Sequence, residues 1–98
     1  MVIRKSELTI KPEKTDEFLA FMKSFDMSQV TGYTGYISGY LAQINDSKFN
    51  GISIFEDQAA DDAFTESEFL KTNSAKLVEF INGTPSLTVA PVVVTFNN

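Results

Sequence analysis

Apolar residues along this chain recur first at every second position, then at every third or fourth, then at every second over two successive stretches, after which the helical and alternating patterns each return once. Side chains alternate across a strand and come back to one face of a helix about every 3.6 residues, so this succession predicts the order β-α-β-β-α-β. Val2 to Ile10 alternates as a strand, with Arg4, Ser6, Leu8 and Ile10 on one side and Ile3, Lys5, Glu7 and Thr9 on the other. Pro12 suits a first helical position, where its missing N–H would be unpaired in any case, and Glu13 and Asp16 favour the positive end of the helix dipole. Phe18, Phe21, Met22 and Phe25 then fall at i, i+3, i+4 and i+7, the apolar stripe of a helix expected from Pro12 to Asp26.

Past a loop with Gly32 and Gly35, the residues Tyr36, Ser38, Tyr40 and Ala42 alternate with Ile37, Gly39, Leu41 and Gln43. Asn45-Asp46-Ser47-Lys48 turns the chain, Asn50-Gly51 is a second turn signal close by, and Ile52, Ile54 and Phe55 form the returning strand. Asp57 can cap a second helix whose first turns carry Ala59, Ala60, Ala63 and Phe64. Ser67 supplies a fresh cap or a kink, and Leu70, Ser74, Leu77, Val78 and Ile81 continue one face until Asn82-Gly83 and Pro85 end it. Leu87 to Phe96, rich in Val and Thr, reads as a last strand, in which Pro91 requires an edge position, a bulge or a missing partner.

At 98 residues the chain is expected to form one domain spanning 1–98. The element order is the split βαβ, ferredoxin-like α+β arrangement, an antiparallel sheet with two helices on one face. So short a chain has no third layer for the other face, and Ile3, Val92 and Val94 sit on strands with two apolar faces; a homodimer is the expected form.

Composition removes several kinds of function. A net charge of −5 leaves no positive field for nucleic acid. The absence of both Cys and His excludes disulfides, thiol nucleophiles, Cys/His zinc sites and His-ligated haem, and no stoichiometric transition metal is expected. The N-terminus is charged where a secretion signal is apolar, and no apolar run approaches the roughly 20 residues of a membrane span, so a cytoplasmic protein without membrane partners is expected. On the same ground Asn45-Asp46-Ser47 and Asn82-Gly83-Thr84 read as turns rather than glycosylation sites.

Leu8-Thr9-Ile10-Lys11-Pro12-Glu13-Lys14-Thr15-Asp16-Glu17-Phe18-Leu19, Gly35-Tyr36-Ile37-Ser38-Gly39-Tyr40, and Ile54-Phe55-Glu56-Asp57 followed by Ala63-Phe64-Thr65-Glu66-Ser67-Glu68-Phe69 together resemble the antibiotic biosynthesis monooxygenase family. The resemblance spans nearly the whole chain through short, degenerate motifs. It implies a dimeric α+β barrel and oxidation of phenol- or quinol-like aromatic compounds by molecular oxygen, with neither metal nor flavin as cofactor. Family members often carry Trp where this chain has Phe55 and His where it has Phe64 and Phe69, so haem degradation by the family route is disfavoured and oxygenation requires another proton acceptor.

The candidate residues each carry two readings. Tyr33, Tyr36 and Tyr40 can donate to a phenolate or quinone oxygen, or serve as strand aromatics of the core or an interface. Phe55, Phe64 and Phe69 wall an aromatic pocket or make plain core. Glu56, at a position where the family pattern also has an acid, is a general base if buried and a solvated acid otherwise. Glu7 is expected to pair with Lys5 on the dimer face. Asp57, Asp61, Asp62, Glu66 and Glu68 lack the spacing of a calcium loop and read as the solvated acidic start of a helix. The chain is thus expected to be either a cofactor-free monooxygenase or a non-catalytic small-ligand-binding protein on the same barrel.

Overall fold

In a computed structural model, which describes residues 1–25 and 35–97, the strands β1 (Val2–Thr9), β2 (Tyr36–Gln43), β3 (Lys48–Phe55) and β4 (Ser86–Pro91) form one sheet in the order β2-β3-β1-β4. Every pairing is antiparallel. With the helices α1 (Thr15–Lys23), α2 (Gln58–Thr65) and α3 (Glu68–Leu77), this is the expected ferredoxin-like fold.

Local chemistry sets most of the boundaries. Pro12–Lys14 forms a 3-10 turn rather than the first turn of α1, because no side chain caps the helix at Lys11 or Lys14. The predicted end of that helix at Asp26 lies outside the described residues, as does Tyr33. Asp57 Oδ1 accepts from the Ala60 N–H at 2.8 Å to start α2, and Ser67 Oγ accepts from the Leu70 N–H at 3.2 Å to start α3. Asn45 Oδ1 accepts from the N–H groups of Ser47 and Lys48 at 3.0 and 2.9 Å. The chain has reversed there, so Asn50-Gly51 is not a turn: Gly51 lies within β3, between Ser6 and Leu41.

Two expectations are corrected toward the C-terminal end. α3 stops at Leu77, leaving Val78 69% exposed, while Ile81 leaves the helical face and bridges Ile10; Phe80 takes the buried position. In α2, Ala60, Asp61 and Phe64 face inward, while Ala59 and Ala63 are exposed. β4 ends at Pro91, on the sheet edge, and residues 92–97 form no strand.

β2 departs from strict alternation. The register shifts between Tyr36 and Ser38, so that Tyr36 pairs with Phe55 while Ser38 pairs with Ile54 and Tyr40 with Ile52. Ile37 is the extra residue of a bulge, which turns Tyr36 to the helix side together with Gly39 and Leu41 and leaves Ser38, Tyr40 and Ala42 on the other face.

The core is split. Leu8, Ile10, Phe18, Phe49 and Phe80 form one buried cluster, and Phe55, Ala60 and Phe64 form another. Successive ring contacts connect the two, running from Phe49 to Phe18 (5.0 Å between centroids), Phe80 (6.1 Å), Phe21 (5.6 Å), Phe25 (5.1 Å), Phe69 (5.7 Å) and Phe64 (6.2 Å). Edge-to-face and tilted geometries at these separations are the favourable ones for aromatic rings. No helix among the described residues is long and apolar enough to cross a membrane.

Candidate functional site

Between the two clusters the helix side of the sheet carries small residues. Ser6 pairs with Gly51, which pairs with Leu41; one row further along, Arg4 pairs with Ser53, which pairs with Gly39. Helices packed over large residues at either end cannot also collapse onto serines and glycines in the middle. The result is a cavity of about 520 Å³, within the size range of small-molecule sites. Leu19, Met22 and Phe25 of the α1 segment and Phe69, Leu70 and Leu77 of α3 line its upper side.

Of the residues expected to form a site, Tyr36, Phe64 and Phe69 line this cavity. Tyr36 packs edge-on against Phe55 at 5.5 Å and tilted against Phe64 at 5.6 Å. Phe64 is buried in the core cluster and also contributes to the cavity wall. Tyr40 borders the cavity at the β2 edge, yet its register places it beside Ile52 on the face away from the helices, 61% exposed. Phe55 is buried beneath Phe64 and does not line the cavity. Glu56 is exposed outside it and donates only its backbone N–H, to the Gly35 carbonyl at 2.7 Å.

Burial pushes the Tyr36 phenol above its ordinary 10.0, a Ser53 hydrogen bond works against this, and nearby Tyr40 adds to the rise. Tyr36 is therefore a hydrogen-bond donor at neutral pH and not a base. Lys5 Nζ lies 3.4 Å from Glu7 Oε1 across the open face, the pairing their alternation indicated. No group of three or more His, Cys, Asp or Glu among the described residues could hold a metal ion.

Arg4 and Asp61 were not singled out as a pair by the sequence. Asp61, expected in a solvated acidic helix start, is 2% exposed, and its Oδ1 lies 3.2 Å from Arg4 Nη1. Gln58 Nε2 donates to Asp61 Oδ2 at 3.0 Å, and Arg4 Nη1 also donates to Thr65 Oγ1 at 3.0 Å. A burial that would be prohibitive for a lone carboxylate is compensated by the Arg4 cation on one oxygen and the Gln58 amide donor on the other. The signal was present in β1, where Arg4 shares the alternating face of Leu8 and Ile10: a cation on a buried face requires a partner.

The sequence matches no protein-family model and no curated protein. Solved structures are similar over nearly the whole chain. A Nitrosomonas europaea protein named as a candidate antibiotic biosynthesis monooxygenase shares 12% identity with a TM-score of 0.84, covering 96% of this chain and 100% of that one. An antibiotic biosynthesis monooxygenase crystal structure shares 18% identity with a TM-score of 0.80, again covering 96% and 100%. This chain has the antibiotic biosynthesis monooxygenase fold. A conserved protein from Methanosarcina mazei shares the same fold at 21% identity, a TM-score of 0.78, and coverage of 91% and 90%. One fold carries many chemistries, so what the monooxygenase fold does in this chain depends on the cavity.

Proposed function

We propose that this chain binds a small planar aromatic compound of the phenol or quinol type in the cavity between sheet and helices and oxygenates it with molecular oxygen. The observation that carries the reading is the cavity, with aromatic walls from Tyr36, Phe64 and Phe69 and polar groups gathered on its floor. An apolar aromatic body is accommodated by stacking, and the hydrogen-bonded Tyr36 and Ser53 hydroxyls keep one O–H between them to donate to an oxygen that gains negative charge. In the reaction an activated ring CH2 loses its hydrogens and becomes C=O. One atom of O2 enters the product, the other leaves as water, and the four electrons given up by carbon are those that reduce O2.

A second reading, binding without chemistry, is favoured by one observation. The Tyr36 phenol in the cavity wall is held protonated, and the chain has no His to accept a proton. Oxygen uptake with anthrone and dihydroxyanthracene, followed alongside binding, separates the two. One O2 consumed per anthrone, with formation of the quinone, is the result expected of the monooxygenase; saturable binding with no uptake above background assigns the chain to ligand binding alone.

The working form in this reading is a homodimer. What supports it is apolar surface left uncovered: Ile3 on the open sheet face, and Val93, Val94 and Phe96 beyond β4, the last 92% exposed. Sedimentation at micromolar concentration should give about twice 10.9 kDa, and a stable monomer would defeat the proposal.

A further inference from the structure

The charge on the cavity wall runs against the charge of the chain. Thirteen acidic residues outnumber eight basic ones, yet among the described residues Arg4 and Lys23 line the cavity and no Asp or Glu does. Arg4 is the inner of the two, its side chain 19% exposed.

Its hydrogen bonds leave part of the guanidinium free. Nη1 spends its two N–H groups on Asp61 Oδ1 at 3.2 Å and Thr65 Oγ1 at 3.0 Å. Thr65 is fixed in turn by donating to the Asp61 carbonyl at 2.8 Å, and Asp61 Oδ2 is taken by Gln58. A guanidinium has five N–H donors in a rigid plane. The remaining three, on Nε and Nη2, have no partner among the described residues. That Nε/Nη2 edge is the fork that matches two coplanar anionic oxygens. Beside Arg4 on the same face stands Ser53, its register partner, followed by Gly39, over which the Tyr36 hydroxyl lies. The Ser53 and Tyr36 hydroxyls, bonded to each other, thus continue the line of the fork across the floor with one O–H left to donate.

We infer that the cavity selects aromatic ligands bearing a planar oxyanion with two oxygens, as in an aryl carboxylate or an ionised ortho-hydroxy ketone, and that Arg4 binds it through Nε and Nη2. Asp61 and Thr65 are positioning residues that hold the fork toward the cavity. This rests on the cavity being the ligand site and adds the charge and shape of the group it recognises.

The test compares 2-naphthoate with its neutral isostere 2-naphthamide by isothermal titration at pH 7.5. The native protein should bind the naphthoate about tenfold or more tightly, as expected for charge-assisted hydrogen bonds. Arg4→Lys keeps the charge and loses the fork, so the preference for naphthoate over naphthamide should fall several-fold. Arg4→Met combined with Asp61→Leu removes both members of the buried pair and should bring the two affinities together. Equal affinities in the native protein, or a preference that survives both Arg4 changes, would overturn the inference while leaving the cavity as an aromatic site. A preference lost in Lys23→Gln and kept in Arg4→Lys would overturn it as well. Failure of both probes to bind would sink the inference together with the proposed function.

Discussion

The hydroxyl of Tyr36 occupies the space in which a β-carbon on Gly39 would stand. The two residues are brought to one face by the bulge at Ile37, which places Tyr36 and Gly39 on the helix side together. Gly39→Ala should therefore displace the Tyr36 ring, at a cost of about 1–3 kcal/mol as for other overpacking changes. Because Tyr36 lines the cavity, aromatic-probe affinity should change along with the melting temperature. Gly51, whose added β-carbon would meet nothing within 4 Å, is the control: Gly51→Ala should leave Tyr36 in place.

Arg4 and Asp61 join β1 to α2, and the carboxylate is enclosed. Asp61→Ala removes one partner and leaves the guanidinium short of its main counter-charge, which should cost about 3–5 kcal/mol in urea unfolding. A second-site Arg4→Met in that background should recover a large share of the loss. An Asp61→Ala protein as stable as the native one would show the pair to be dispensable.

What was legible in the sequence was local. Asp57 and Ser67 act as caps because a side-chain oxygen three residues before a free N–H needs nothing distant to reach it. Alternation in β1 and the helical stripe of Phe18, Phe21 and Met22 were readable for the same reason. The features that build the candidate site are pairings between remote segments. Arg4 and Asp61 are 57 positions apart, and the cavity floor exists only because Ser6 meets Gly51 and Ser53 meets Gly39 across three strands. The bulge at Ile37 inserts no Gly or Pro that would announce it, and an unbroken alternation wrongly put Tyr36 and Tyr40 on one face. Phe64 and Phe69 were singled out through the family resemblance, their spacing alone fitting plain core, whereas Arg4, chemically the most distinctive residue on the cavity wall, was read only as a strand charge.

Tyr36 also gives a pH signature. Its folded pKa lies above the unfolded value near 10.0, so the stability it contributes is fully present below that value and is lost as the pH rises through the folded one. Urea midpoints measured from pH 8 upward should fall at the alkaline end in the native protein. Tyr36→Phe cannot ionise and should fall less steeply, the difference between the two curves being the contribution of this phenol. Parallel curves would show that its burial is not maintained in solution.

Phe64 is the residue where fold and site are least separable. It packs in a buried cluster with Phe55 and Ala60, contacts the rings of Tyr36, Phe55 and Phe69 at 5.6, 5.5 and 6.2 Å, and lines the cavity. Phe64→Ala should cost about 3–5 kcal/mol, the usual range for a truncated core phenylalanine. It should also weaken aromatic-probe binding, because a stacking surface is removed from the wall. Phe64→His, which restores the residue type the resembling family often carries there, buries a polar ring in an aromatic cluster and should cost about 1–3 kcal/mol. If the ring faces the ligand, that variant gains a titrating group, and probe affinity becomes pH-dependent between about pH 5 and 8 where the native protein's is flat. Thermal melts read beside probe titrations at several pH values check both effects. Destabilisation with unchanged, pH-independent affinity would make Phe64 a core residue alone and leave Tyr36 and Phe69 as the aromatic wall.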